Sequence, residues 1–251
     1  MTDHSPGNLL IVGASSTIAR SLMKYALTEQ EHNPELQLTA ISRSGDIPDD
    51  FSDEGNRNLW FQCDYSLNDI ETICQQQTER LQVLDTVIIC NGKLHDQHLF
   101  PEKRIKDFDH ENFAEVMHSN ATIPFLWLQC LYQHLPRRRP INVVLFSARV
   151  GSISDNRLGG WYSYRASKAC LNMLVKTFSP ELNRTHPQVK LFLFHPGTTD
   201  TPLSKPFQNN VPEGKLFTPE FVANQLLSHL QSNESSANLQ YLDWQGEQIP
   251  W

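Results

Sequence analysis

Tyr164 and Lys168 stand four residues apart in Tyr164-Arg165-Ala166-Ser167-Lys168. On a helix that spacing sets the phenol and the ammonium on one face. A cation beside a phenol favours the phenolate, so Tyr164 is a candidate general acid or base. Two polar residues precede the pair: Ser147, at the end of the apolar run Ile141–Phe146, and Asn120, inside a long helical stretch. A second set of residues suits an anion. Gly13-Ala14-Ser15-Ser16-Thr17-Ile18-Ala19 follows the apolar run Leu9–Val12. A strand, a tight turn and a helix N-terminus together aim backbone N–H groups at a phosphate. Gly13 makes the turn, and Ser15 and Ser16 can bond phosphate or ribose. The same residues also describe an ordinary capped strand-to-helix turn.

Other chemistry-bearing residues fall where further strands end. Ser42-Arg43 closes the second apolar run, with no Asp or Glu between Ile41 and Ser44. An acid there would bond a ribose 2′-hydroxyl, whereas an arginine suits a 2′-phosphate. Asp64 follows the third run and is placed either to meet an adenine edge or to cap a turn. Asn91-Gly92 ends the fourth, where glycine lets the backbone approach a ligand closely. His195-Pro196-Gly197-Thr198-Thr199-Asp200-Thr201 follows the sixth, and its threonine hydroxyls can bond a carboxamide or a phosphate.

The elements that must position these groups alternate along the chain. Strands are expected at Leu9–Val12, Leu36–Ser42, Leu59–Cys63, Asp85–Cys90, Ile141–Phe146, Val189–Phe194 and Leu239–Trp244. Helices are expected from Ile18 through Ala26, and over Leu67–Leu81, Asp109–Leu135 with a bend near Pro124, Tyr162–Leu182 and Pro219–Leu230. About seven strands alternating with about six helices predict an α/β, doubly wound parallel sheet, which binds dinucleotides at its carboxyl edge. The segments 44–58, 92–107, 152–160 and 198–215 read as loops, the last long enough to be a binding segment.

Composition narrows the class. The chain has 251 residues, with 21 Lys plus Arg against 28 Asp plus Glu, a net charge of −7. That balance, with no basic run beyond Arg137–Arg139, argues against nucleic acid as a partner. No stretch approaches the ~18 apolar residues of a spanning helix, and no basic leader precedes the first apolar run. The five cysteines are scattered, which excludes CxxC chemistry and points to a reduced, cytoplasmic setting. The ten histidines form no zinc-binding pattern, so no metal is expected.

Taken in order, these motifs resemble the short-chain dehydrogenase/reductase family, from Leu9 to about Thr201. The stretch Gly151–Asn156, then Gly159-Gly160-Trp161-Tyr162-Ser163-Tyr164-Arg165-Ala166-Ser167-Lys168, with the terminal Ile249-Pro250-Trp251, is similar to the branch related to the bacterial cell–cell signalling C-factor. The resemblance implies one Rossmann domain over 1–251, with 198–215 as substrate loop. It implies hydride transfer with NADP(H), or less favourably NAD(H), to or from a small carbonyl or alcohol. It also implies a homodimer or homotetramer paired through the Asp109–Leu135 and Tyr162 helices. By resemblance Tyr164 passes the proton, Lys168 lowers its pKa and holds the ribose, Asn120 places a water, and Ser147 steadies the carbonyl oxygen.

Three departures stand out. Val12, Thr17 and Ala19 replace the Thr and two Gly of the usual T-G-x-x-x-G-x-G turn, and Thr17 adds bulk where a pyrophosphate passes. Ile89-Cys90-Asn91-Gly92 stands for N-N-A-G. The usual catalytic serine, counted back from Gly151, falls on Ala148, so Ser147 is one position off and on a strand would point the other way. Either Ser147 serves through local distortion, Ser152 replaces it, or the group is missing.

Overall fold

The structure, a computed structural model, describes residues 7–52, 54–232, 235 and 237–251. The first six residues, where a leader would begin, lie outside them. Seven strands form one sheet: β1 (Leu9–Val12), β2 (Leu38–Ser42), β3 (Asn58–Gln62), β4 (Thr86–Ile89), β5 (Ile141–Phe146), β6 (Val189–His195) and β9 (Leu239–Asp243). Their order is β3-β2-β1-β4-β5-β6-β9, and every neighbouring pair is parallel. A short parallel pair, β7 (Thr198–Thr199) and β8 (Leu216–Phe217), lies in the expected loop, with a 3-10 turn at Lys205–Asn210 between them.

Burial on both faces explains the continuous apolar runs. In β1, Leu9 and Ile11 pack against α1 (Thr17–Glu29) and α7 (Pro219–Gln231), while Leu10 and Val12 face α2 (Leu67–Gln76), α5 (Ile123–Tyr132) and α6 (Tyr162–Thr185). All seven strands end at one edge. The chain crosses from β3 back past β1 to β4, which opens a crevice beyond the ends of β1 and β4, the usual place for a ligand in such sheets.

Two expected helices are broken, each for a local reason. The Leu67–Leu81 helix stops at Gln76 and restarts as α3 (Thr78–Gln82), because the Thr78 hydroxyl bonds the carbonyls of Cys74 and Gln75 at 3.2 and 3.0 Å and competes with the backbone ladder. The Asp109–Leu135 helix is capped by Asp109 and runs as α4 (His110–Met117), then widens to a π turn over His118–Thr122 before α5. Pro124 has no N–H and its ring crowds the carbonyl four residues back, which is that of Asn120. The Ile123 N–H accordingly reaches past it to His118.

Candidate active site

Gly13 turns the chain with φ +82°, and a Cβ there would stand 3.2 Å from the backbone of Cys90 and Asn91. Ser16 caps α1, its Oγ accepting from the Ala19 N–H at 3.3 Å. The N–H groups of Thr17 and Ile18 have no partner within the helix. Ser15 is exposed above them. Ser15, Ser16, Thr17 and Ile18 form one end of a cavity of about 310 Å³ that also includes Asn91, Gly92, Ser147, Tyr164, Lys168, Pro196 and Thr201.

Lys168 is buried, and its Nζ donates to the Phe146 carbonyl at 2.8 Å and lies 5.9 Å from the centre of the Tyr164 ring. Burial pushes its pKa down to about 8, against a smaller opposing effect of Cys90. Tyr164 is pushed up, first by burial and then by Tyr241. In the protein alone, enclosure therefore outweighs the expected lowering by Lys168, and the phenol keeps its proton.

Asn120 is fully enclosed behind Lys168. Its Nδ2 donates to the Lys93 carbonyl at 2.8 Å and to the Ser167 Oγ at 3.0 Å, and its Oδ1 accepts from the Lys93 N–H at 2.6 Å. The amide is thus fully bonded, and Pro124, four residues on, has no N–H to offer the Asn120 backbone carbonyl.

Ser147 donates to Asn172 Oδ1 at 2.6 Å and is 3% exposed. Asn172 lies on the same face of α6 as Tyr164 and Lys168, one turn deeper. The Ala148 methyl packs beside Leu94 and Tyr164. Ser152 is occupied elsewhere, its Oγ accepting from the Asp155 N–H at 3.2 Å.

The remaining expected residues flank this centre. Ser42 is buried and accepts from the Ser44 N–H at 3.1 Å, and Arg43 is exposed, its guanidinium 6.0 Å from the Tyr65 ring centre. The Asp64 carboxylate caps a turn, accepting from the Ser66 N–H at 2.7 Å, which lowers its pKa. Asn91 Oδ1 is enclosed without a partner. Gly197 (φ +72°) sits where a Cβ would meet Phe217 at 2.7 Å, and the Thr199 hydroxyl bonds the Pro196 carbonyl at 3.5 Å. Gly197 and Thr199 line a second cavity of about 670 Å³, which shares Ile18, Ser147, Tyr164, Pro196 and Thr201 with the first.

Several functional groups escaped the motif reading. The 92–107 loop folds back so that Glu102, 6% exposed, receives Ser163 N–H and hydroxyl at the first turn of α6, while its own carbonyl accepts from Trp161 N–H at 2.6 Å. Gly159, Gly160 and Trp161 all adopt positive φ to reach this turn. Trp161 then packs edge-on to Tyr164 at 6.0 Å and to Phe207 at 5.0 Å. The Gly-Gly pair before Trp161 was the one available hint.

Sheet order and crevice define a Rossmann-type α/β scaffold, with Tyr164 and Lys168 in one cavity. The model of the short chain dehydrogenase family matches residues 8–212, and the chain belongs to that family. It is 28% identical over 188 residues to the 1-hydroxy-2-glutathionyl-2-methyl-3-butene dehydrogenase of Rhodococcus sp. strain AD45, covering 74% of this chain and 76% of that one. It is 31% identical over 147 residues to the C-signal of Myxococcus xanthus, covering 58% and 82%. Among solved structures, a short-chain dehydrogenase/reductase from Burkholderia multivorans with bound NADP superposes with a TM-score of 0.79 at 22% identity, over 98% of this chain and 100% of the other. Among the described residues no helix is long and apolar enough to cross a membrane.

Proposed function

We propose that this chain is an NADP(H)-dependent oxidoreductase that moves hydride to or from a carbonyl or alcohol carbon through a Tyr164–Lys168 proton relay. The observation that carries the reading is the buried Lys168 ammonium in the same cavity as the Tyr164 phenol and the N–H-rich turn. The residues present fit a dinucleotide. Gly13 is left-handed, Thr17 and Ile18 offer unpaired N–H groups, Asn91 Oδ1 is an orphan acceptor, and Gly92 leaves room beside Lys168 Nζ. Ser15, Ser16 and Ile18 would hold the pyrophosphate; Asn91, Gly92 and Lys168 the nicotinamide ribose; and Pro196, Gly197, Thr199 and Thr201 the carboxamide. Ser42, Arg43 and Asp64 would hold the adenosine end, with Arg43 favouring NADP(H) over NAD(H). When bound, the nicotinamide supplies or takes the hydride.

The chain's own groups are set for reduction. At neutral pH Tyr164 holds its proton and Lys168 is an ammonium, so the phenol donates to the carbonyl oxygen and the cation stabilises the phenolate left behind. The Asn120 backbone carbonyl, to which Pro124 cannot donate, would accept from a water that returns the proton. Ser147 joins only on release from Asn172, because its single hydroxyl hydrogen is already donated. Pairing of two or four copies through α4–α6 belongs to the same reading.

A second reading, a nucleotide-binding signalling protein with weak or no catalysis, is favoured by the Ala148 methyl at the reacting wall and by Thr17 in the turn. NADPH and NADH titrations followed by turnover on a carbonyl panel decide between them. Turnover abolished by Tyr164→Phe supports the oxidoreductase. Binding without turnover supports the second reading, and no binding of either nucleotide at millimolar concentration overturns both.

A further inference from the structure

The cavity of about 670 Å³ beyond Tyr164 has walls of two kinds. One is apolar and ring-faced: Leu94, Phe100, Val150, Trp161, Phe207 and Val211. Trp161 and Phe207 meet at 5.0 Å and 60°, and Trp161 reaches Tyr164 at 6.0 Å, so flat faces lead to the phenol. Phe100 is 59% exposed and Leu203 38% exposed at this wall, apolar surface that a ligand would cover.

The other wall carries the charge. In a chain of net charge −7, the charged residues lining the cavity are Lys103 and Arg149, both cations. Among the described lining residues there is no carboxylate. Arg149 is fixed by Asp243 at 2.8 Å and Asp155 at 3.3 Å, yet its side chain remains 44% exposed. Asp243 is 4% exposed and also accepts from the Gln245 and Glu247 N–H groups, and although both acids offset the Arg149 charge, neither lines the cavity. Lys103 is exposed and has no ion-pair partner among the described residues. The His195 ring lines the same cavity with Nδ1 enclosed and without a hydrogen-bond partner. Its burial and the neighbouring Arg149 keep it neutral, with a pKa of about 4.

We infer that the substrate of this site joins a bulky, ring-sized apolar body at the reacting carbonyl to a carboxylate at its other end. The inference rests on the oxidoreductase reading above. The ring faces take the body, while Lys103 and Arg149 take the anion as charge-assisted hydrogen bonds. A cationic substrate meets the Lys103 ammonium there, and a neutral one leaves that cation unused.

The test compares 4-acetylbenzoate with its methyl ester and with acetophenone, using NADPH and the intact protein. The carboxylate should have a kcat/KM about tenfold above the ester at low salt. The advantage should shrink with added salt and invert in Lys103→Glu. An ester or acetophenone equal to or better than the carboxylate overturns the inference while leaving the oxidoreductase reading intact. If no ketone is turned over, that reading fails, and calorimetry on NADP-loaded protein still decides the cavity's preference. Tighter binding of 4-acetylbenzoate than of its ester supports the inference, and equal or absent binding overturns it.

Discussion

Ser147 and Asn172 face each other across the gap between β5 and α6, Oγ to Oδ1 at 2.6 Å, with the Tyr241 hydroxyl pressed beside them and donating to the Ala148 carbonyl at 2.6 Å. A serine hydroxyl has one hydrogen, and this one is donated away from the reacting carbonyl. In this arrangement Ser147 packs β5 on α6, and on the proposed oxidoreductase reading the Ala148 methyl stands beside Tyr164 with no hydroxyl to offer. Ser147→Ala should lower stability by about 1–3 kcal/mol, because Asn172 is left with an unsatisfied buried acceptor, while kcat changes by less than about threefold. Ala148→Ser should raise kcat on the order of tenfold by adding a donor at the developing oxyanion. Melting curves and steady-state rates separate the two. A hundredfold loss of kcat in Ser147→Ala at unchanged melting temperature would mean that Ser147 itself meets the substrate.

The lysine sets the pH range. In the protein without cofactor, burial holds Lys168 near 8, below its ordinary 10.5. The unfolded chain therefore binds the extra proton between those values, and folding stability rises with pH across that window. The cost is fully present below about pH 8. In the proposed relay the same proton serves turnover, because an ammonium stabilises the phenolate. Reduction kcat/KM should fall above about pH 8, and Lys168→Met should abolish both the alkaline limb and the rise in stability. A flat rate profile from pH 7 to 9 would remove Lys168 from the relay.

Much of the sheet was legible because parallel strands buried on both faces are continuous apolar runs, and Leu9–Val12 and Ile141–Phe146 stand out as such. The Tyr164–Lys168 face was legible because helical spacing alone determines it. What stayed hidden depends on contacts between distant residues. Pro124 reads as a bend, but that the Asn120 side chain beside it is enclosed follows from the packing of Lys93 and Ser167 around it. The direction of Ser147 needed Asn172, twenty-five residues away. The ring-lined cavity draws on three separate loops, none of which has a periodicity to read.

Arg43 tests the cofactor preference. It projects from the end of β2 into solvent beside Tyr65, and no carboxylate lies between Ile41 and Ser44 to receive a ribose 2′-hydroxyl. Arg43→Ala should weaken NADPH binding by roughly tenfold or more, the worth of a charge-assisted contact to a phosphate, and leave NADH binding nearly unchanged. Fluorescence titration of both nucleotides reads the difference. Equal losses would mean that Arg43 does not meet the 2′-phosphate.

Glu102 ties the loop after β4 to the helix that carries Tyr164 and Lys168. Its carboxylate takes both the N–H and the hydroxyl of Ser163, at a helix start whose own cap, Trp161, is left-handed and supplies no side-chain bond. A buried acid at a helix N-terminus satisfies orphan N–H groups and the helix dipole together. Removing the carboxylate leaves Tyr164 on a turn with no side-chain cap, while the Trp161 N–H keeps its bond to the backbone carbonyl of residue 102. Glu102→Ala should cost about 1–3 kcal/mol of stability. It should also lower kcat for ketone reduction while Kd for NADPH stays unchanged, because Glu102 does not line the cavity that contains the anion turn. Glu102→Gln, which keeps an acceptor for the Ser163 N–H, should recover most of kcat. A loss confined to stability, with kcat intact in both variants, would show that the first turn of α6 holds Tyr164 in place without help from the loop.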